Sequence, residues 1–305
     1  MRPPTEAECK GAYTALASLL SPPEPSILEI EILPPSLTPP GTLYLSDPPS
    51  LGIPKSTLIA AYLHARALPF PPTTTNGSPD PSPPNPNPNP SPDLLPATAI
   101  ILLYDPEHLT ACNTRKRHLL SLPPSDLPRA LTAEIALLTT LLTSPLNRHT
   151  KSPTLWSHRF FLLRTFPQHL VTDASSFWTS EFRIILRAAE LHKANYYAFS
   201  HARRVLRFFD QWEEDGPNGE FMVGEEVWQD TARSMAEWCL RHPGDVSGWA
   251  FLGFVFCGGE GVGADGVRTE VFDRVVGWRG KVGWEGEAMR GFLEGVGVIG
   301  RGVWV

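Results

Sequence analysis

Four stretches of this chain can be laid over one another, and that recurrence constrains the fold more than any other feature. They are "EHLTACNTRKRHLL" (107–120), "KSPTLWSHRFFLL" (151–163), "KANYYAFSHARRVL" (193–206) and "PGDVSGWAFLGFVF" (243–256). Cys112, Trp156, Phe199 and Trp249 fall at one place, and three residues on stand Arg115, Arg159, Ala202 and Leu252. The period is about 44 residues in the first two intervals and longer in the third, which contains "EEDGPNGE", read as a loop insertion. Two helices and two turns fill such a period. A single hairpin cannot bury its own apolar face, so successive copies must stack. The fold class expected is all-α, an alpha-alpha superhelix of helical hairpins.

The rest of the chain is read around that repeat. Helical periodicity is expected over 94–104, 106–121, 127–143, 153–166, 176–192, 196–211, 225–241, 246–257, 267–280 and 284–296. Before it come a short helix in "TEAECKGAYTALASLL", two extended runs, "SILEIEILPPS" and "TLYLSD", and a helix over 53–68 with Pro54 near its start. Residues 71–93 have proline at nearly every second position and almost no apolar side chain. Such a composition does not offset its ordering entropy, so a disordered, locally extended insert is expected. The domains predicted are an N-terminal segment (1–70), the insert (71–93), the repeats (94–257) and a Gly-rich loop with C-terminal capping helices (258–305).

Within one copy each residue type has a physical reason. Ser152 followed by Pro153 reads as N-cap and first helical residue, and Asn195 and Asp245 hold the same cap position. In the first copy the cap is expected a turn earlier, at Asp105-Pro106. The aromatic one turn in packs on the neighbouring hairpin. An arginine three further on lays its stem over the ring and bonds carbonyls at a helix end. Asn113, Arg115, Trp156, Arg159, Asn195, Phe199, Arg203 and Trp249 are therefore expected to be structural repeat positions.

Charge and composition exclude several classes. A net charge of −6 argues against a generic nucleic-acid binder. The basic run Arg115-Lys116-Arg117-His118 is read as a solvated or partner-facing helix side, with contact to RNA phosphates as the alternative. Cys9, Cys112, Cys239 and Cys257 have no metal-ligand spacing and predict free thiols in a reducing compartment. The start lacks a signal-peptide pattern and no apolar run is long enough for a bilayer, so a cytoplasmic protein with no membrane span is expected. "GVGADG" (261–266) matches the dinucleotide-loop spacing, but no hydrophobic strand precedes it, and it is read as a flexible loop. "GIPKST" (52–57) lacks the glycine a phosphate loop places before its lysine.

The repeat resembles that of the protein prenyltransferase α subunits. "NYYAFSHARRVL" is similar to that family's Asn-Tyr-x-Ala-Trp-x-x-Arg-Arg helix. "DPEHLTACNTRKRHLL" is similar to its Asn-Pro form, and "KSPTLWSHRFFLL" to its Lys-x-Tyr-x-x-Trp-x-His-Arg-Arg form. Four copies run in phase over roughly residues 94–257. Cys112 replaces a tryptophan, Pro153 a tyrosine, and Ala202 and Leu252 replace arginines. The nearest likeness is to the divergent members that contain α-subunit repeats.

The resemblance implies a crescent wrapped around a separate prenyltransferase β subunit that carries the catalytic zinc; no cofactor or metal is expected in this chain. The pair would move a prenyl group, geranylgeranyl by likeness to the divergent members, from prenyl diphosphate to a C-terminal cysteine of an acceptor protein. It implies catalytic contacts to the diphosphate from Lys151, five residues before Trp156, and Tyr196, three before Phe199. Tyr197 and His201 would line the same groove. The chemistry stands on its own terms: a cation, a phenol and the amide end of a helix all favour a leaving group that gains negative charge. The bland alternatives are a solvated turn lysine for Lys151, an interface or core tyrosine for Tyr196, and helix-surface packing for Tyr197 and His201. The rival function is a non-catalytic helical-repeat scaffold for protein–protein interaction.

Overall fold

The computed structural model describes residues 2–70, 94–146, 148–210, 224–258 and 264–299. The expected disordered insert (71–93), the "EEDGPNGE" stretch and Trp304 lie outside them. The described residues are mostly helical and form two compact units, Met1–Leu162 and Leu163–Val305.

In the first unit α1 (Glu6–Leu20) opens on a capping box: Glu8 N–H donates to Thr5 Oγ1, and Thr5 N–H donates to Glu8 Oε2. Cys9, Ala12, Leu16 and Leu20 are buried, one helical face. That face packs on α2 (Lys55–Ala67) and α3 (Leu94–Tyr104). The mainly helical class holds, and a small sheet accompanies the helices of this unit. The two extended runs supply β1 (Glu29–Leu33) and β2 (Leu45–Asp47). A third strand, β3 (Ser50–Pro54), takes the start of the expected 53–68 helix. Leu51 and Ile53 are buried and two apart, the spacing of one strand face. The order is β1-β3-β2, with β1 parallel and β2 antiparallel to β3.

The sheet is tied to a helix by side chains. Leu28 N–H donates to Thr140 Oγ1 and Ile30 N–H to Ser144 Oγ, each at 2.9 Å. Those hydroxyls sit in and just past α5 (Leu127–Thr143). α4 (Leu109–Ser121) packs between α3 and α5 in contact order. α3 is buried along most of its length, from Leu94 and then Ala97 through Leu103. α6 spans Pro153–Thr165.

The second unit contains α7 (Pro167–Leu170), α8 (Ala174–Leu191), α9 (Tyr196–Asp210), α10 (Glu225–Arg241), α11 (Val246–Cys257), α12 (Ala264–Val282) and α13 (Glu287–Ile299). α8 pairs with α9 and α10 with α11. Across the pairs α9 packs on α11, α10 on α12 and α11 on α13. The core is aromatic: Phe199 lies 5.5 Å from Trp238 and 5.3 Å from Phe251, centroid to centroid. Gly248 is required where α11 meets α10, because a Cβ there would run into the buried Trp238 ring. Phe292 of α13 covers Trp249 and Phe256, at 5.5 and 5.6 Å. The sequence "GVGADG" is not wholly a loop, since Ala264, Asp265 and Gly266 begin α12. Among the described residues no helix is long and apolar enough to cross a membrane.

Candidate functional site

The chemistry-bearing residues predicted from the repeat stand at the starts of α4, α6, α9 and α11, so those helix starts come first. Each has a side-chain cap, four residues before the repeat aromatic or its substitute. Ser152 Oγ accepts from Leu155 N–H at 3.0 Å, Asn195 Oδ1 from Ala198 N–H at 3.2 Å and Asp245 Oδ1 from Gly248 N–H at 2.9 Å. In the first copy the cap is His108, whose Nδ1 accepts from Ala111 N–H at 3.2 Å. This corrects the expected Asp105 cap: Asp105 instead accepts from Glu107 N–H in the turn before the helix.

Two of the caps also fasten one hairpin to the preceding one. Ser152 Oγ donates to Pro106 O at 3.1 Å, and Asp245 Oδ2 accepts from Ala194 N–H at 2.7 Å. Ala194 needs that anchor, because it holds a left-handed φ of 55° that costs a residue with a Cβ roughly 1–2 kcal/mol. The repeat tryptophans are fixed in one way: Trp156 Nε1 donates to Thr150 O and Trp249 Nε1 to Pro243 O, each at 2.9 Å and each six residues back.

Lys151 is half-buried and ends a short 3-10 turn, His149–Lys151, directly before the cap of α6. The turn is pinned from inside. His149 Nε2 lies 3.0 Å from both Leu102 O and Leu103 O, which makes it the protonated, donating nitrogen. Burial lowers this imidazole to about 4, so the ring is neutral at neutral pH. Lys151 thus stands at a rigid helix entrance with a charge-free histidine beneath it.

Tyr196 begins α9 and is 61% exposed; Tyr197 beside it is 39% exposed, their rings edge-on at 5.6 Å. Lys151 belongs to the first unit and the two tyrosines to the second. His201 does not join them at the surface. It is 2% exposed, with Nε2 2.7 Å from Glu181 Oε1 on α8. Arg203 shares the Tyr196 stripe of α9 and lies over two rings, 5.6 Å from the Phe251 centroid and 5.8 Å from Phe254. Among the other repeat positions, Phe199, Trp156, Trp249, Asn195 and Arg159 are buried, while Asn113 is exposed. Arg159 Nη1 donates to Thr139 Oγ1 at 3.0 Å.

Sequence reasoning missed the most highly charged interior cluster. Arg115 does not rest on a ring. Its Nε donates to Glu134 Oε1 at 2.8 Å and its Nη2 to Oε2 at 2.6 Å, while Nη1 reaches Leu95 O and Thr98 Oγ1. Burial alone would raise the Glu134 carboxyl, but the Arg115 guanidinium overrides it and leaves it below its usual value. His158, fully buried, has Nε2 3.4 Å from the same carboxylate, yet burial holds it at about 4, so it is a neutral neighbour and not a second cation. The one signal in the sequence was a glutamate inside the apolar α5 pattern "LPRALTAEIALLTTLLT". The basic run 115–118 is accordingly split: Arg115 points inward and Lys116 lies over the Phe161 ring at 5.1 Å.

Cys112, at a tryptophan's place, is buried and pushed up to about 12, foremost by desolvation, so it is an inert thiol. Among the described residues no group of three His, Cys, Asp or Glu is placed to hold a metal ion. No protein-family model matches this chain, and no curated protein matches it.

Proposed function

We propose that this chain is the α-type subunit of a heterodimeric protein prenyltransferase, a stack of helical hairpins working in the cytosol beside a zinc-bearing β subunit. The observation that carries the reading is the recurrence of one construction at four helix starts: a side-chain cap, the aromatic or its substitute four residues on, and a tryptophan indole bonded six residues back in two of them. The Lys151 and Tyr196 positions fall in two successive copies of it, as in the family the repeat resembles.

On this reading Lys151 offers a cation at the amide end of α6 and Tyr196 a phenol at the start of α9, each a separate candidate contact for the diphosphate of the prenyl donor. Both contacts strengthen as the leaving group gains charge, which is what lowers a barrier. His201, buried on Glu181, has no part in that contact. The β subunit supplies the zinc that would hold the acceptor cysteine as a thiolate, and the pocket for the geranylgeranyl chain.

The test is reconstitution: this chain, a prenyltransferase β subunit, geranylgeranyl diphosphate and an acceptor protein with a C-terminal cysteine, assayed for thioether formation. Lys151→Ala is expected to assemble normally and to lower kcat by about 10²-fold, the scale for removing one donor to a developing charge. A stable complex with unchanged turnover would remove Lys151 from the mechanism. Partner capture with no transfer under any condition would leave the chain a non-catalytic scaffold.

A further inference from the structure

Along α9, one turn beyond Arg203, Arg207 places its guanidinium 5.2 Å from the centroid of the same Phe254 ring. Among the described residues neither arginine has a carboxylate within ion-pairing distance. α11, the helix packed against this face, carries no charged residue from Val246 to Cys257. Arg203 is half-buried; desolvation lowers its basicity, and Arg207 adds to the effect by like-charge repulsion. Like charges four apart on a helix destabilise it slightly, and burying one on an aromatic face adds a desolvation cost. In a chain of net charge −6 this is a local pair of like charges, and Asp210, at the end of the same helix, forms no ion pair with either.

We propose that the Arg203–Arg207 face of α9 docks an acidic helical segment of a protein partner, each guanidinium taking one carboxylate. The spacing selects this occupant. Residues four apart on a helix rise about 6 Å, so carboxylates four apart on a facing helix meet both cations at once. Small anions are held where donors converge in a concavity; here the two cations follow one another along α9 at the edge of its contact with α11, Arg203 half-buried and Arg207 exposed. Exposed Tyr196 and Tyr197 at the head of α9 add aromatic surface of the kind enriched at interfaces. Both guanidiniums already rest against the Phe254 ring, at 5.8 and 5.2 Å from its centroid, which reduces the side-chain entropy lost on binding.

The inference does not rest on prenyl transfer, and a Lys151→Ala variant with unchanged turnover leaves it standing. Its test uses the full chain and a labelled helical peptide with glutamates four apart, against the same peptide with glutamines, read by fluorescence anisotropy. Saturable binding of the glutamate peptide is expected, weakening at least tenfold in Arg207→Glu and falling as salt rises. Arg207 is exposed, so this variant keeps the fold; Arg203→Lys, which preserves the charge, is expected to bind within a few-fold of wild type. The proposal is overturned if wild type does not bind, if the glutamine peptide binds equally well, or if Arg207→Glu binds unchanged. It is also overturned if inorganic diphosphate binds and the glutamate peptide does not. Binding that appears only after Glu213, Glu214 and Asp215 are neutralised would likewise overturn it, because the occupant would then be the chain's own acidic run.

Discussion

Arg115 shows how one residue's meaning depends on what the fold sets beside it. In the linear pattern it is the arginine of an aromatic-x-x-Arg repeat; in the folded unit it is half of a buried ion pair whose carboxylate is 19 residues away. Such a pair contributes little over a well-packed apolar replacement, but breaking it strands a charge. Arg115→Ala is therefore expected to destabilise the protein by about 3–5 kcal/mol, and Arg115→Met combined with Glu134→Leu to recover most of that loss, as measured by urea unfolding. Equal damage from the double variant would mean that the bonds of Arg115 to Leu95 O and Thr98 Oγ1 carry the stability instead. Periodicity could not have found this pair. It flags an acid inside an apolar pattern but does not say which cation lies across from it.

At the scale of the helix, the cap is the unit that recurs, and in two copies it reaches back to the preceding turn. Asp245 is the strongest case: one carboxylate oxygen caps α11 and the other holds the left-handed Ala194 before α9. Asp245→Ala removes a cap and leaves a half-buried N–H without its acceptor. The expected loss is about 2–4 kcal/mol, with faster amide exchange at Ala194 as well as at Gly248. Exchange that quickens only at Gly248 would show that the link between the hairpins is dispensable. Most helix spans were legible: the patterns over 94–104, 127–143, 225–241 and 246–257 match the helices end to end, because each is bounded by proline, glycine or a capping side chain. The cap of α4 was not. Asp105-Pro106 is a familiar opening, whereas a histidine accepting through Nδ1 is a rare one, and only the backbone geometry after Pro106 selects it. β3 escaped because five residues with two inward side chains are too few to establish a period.

For the whole molecule, the histidines decide the response to acid. His149 and His158 are both held near 4 by burial, against an ordinary value of 6.5. Between those values the unfolded chain takes up protons that the native chain refuses. Stability is therefore expected to be full above about pH 6.5 and to fall as pH drops toward about 4, by roughly 1.4 kcal/mol per pH unit for each histidine. Urea midpoints across that window check it: His158→Gln should remove about half of the slope, and an unchanged slope would mean that the His158 ring is not excluded from protonation. By itself the sequence determined the mainly helical class, the repeat and most helix spans, since these rest on spacing and on residues that act within a turn of themselves. Only the tertiary structure decided that Glu134 neutralises Arg115, that His201 is buried on Glu181 while Tyr196 stays open, and that Arg203 and Arg207 share one ring. Burial and charge pairing join residues many positions apart, and no local pattern encodes which of them will face each other.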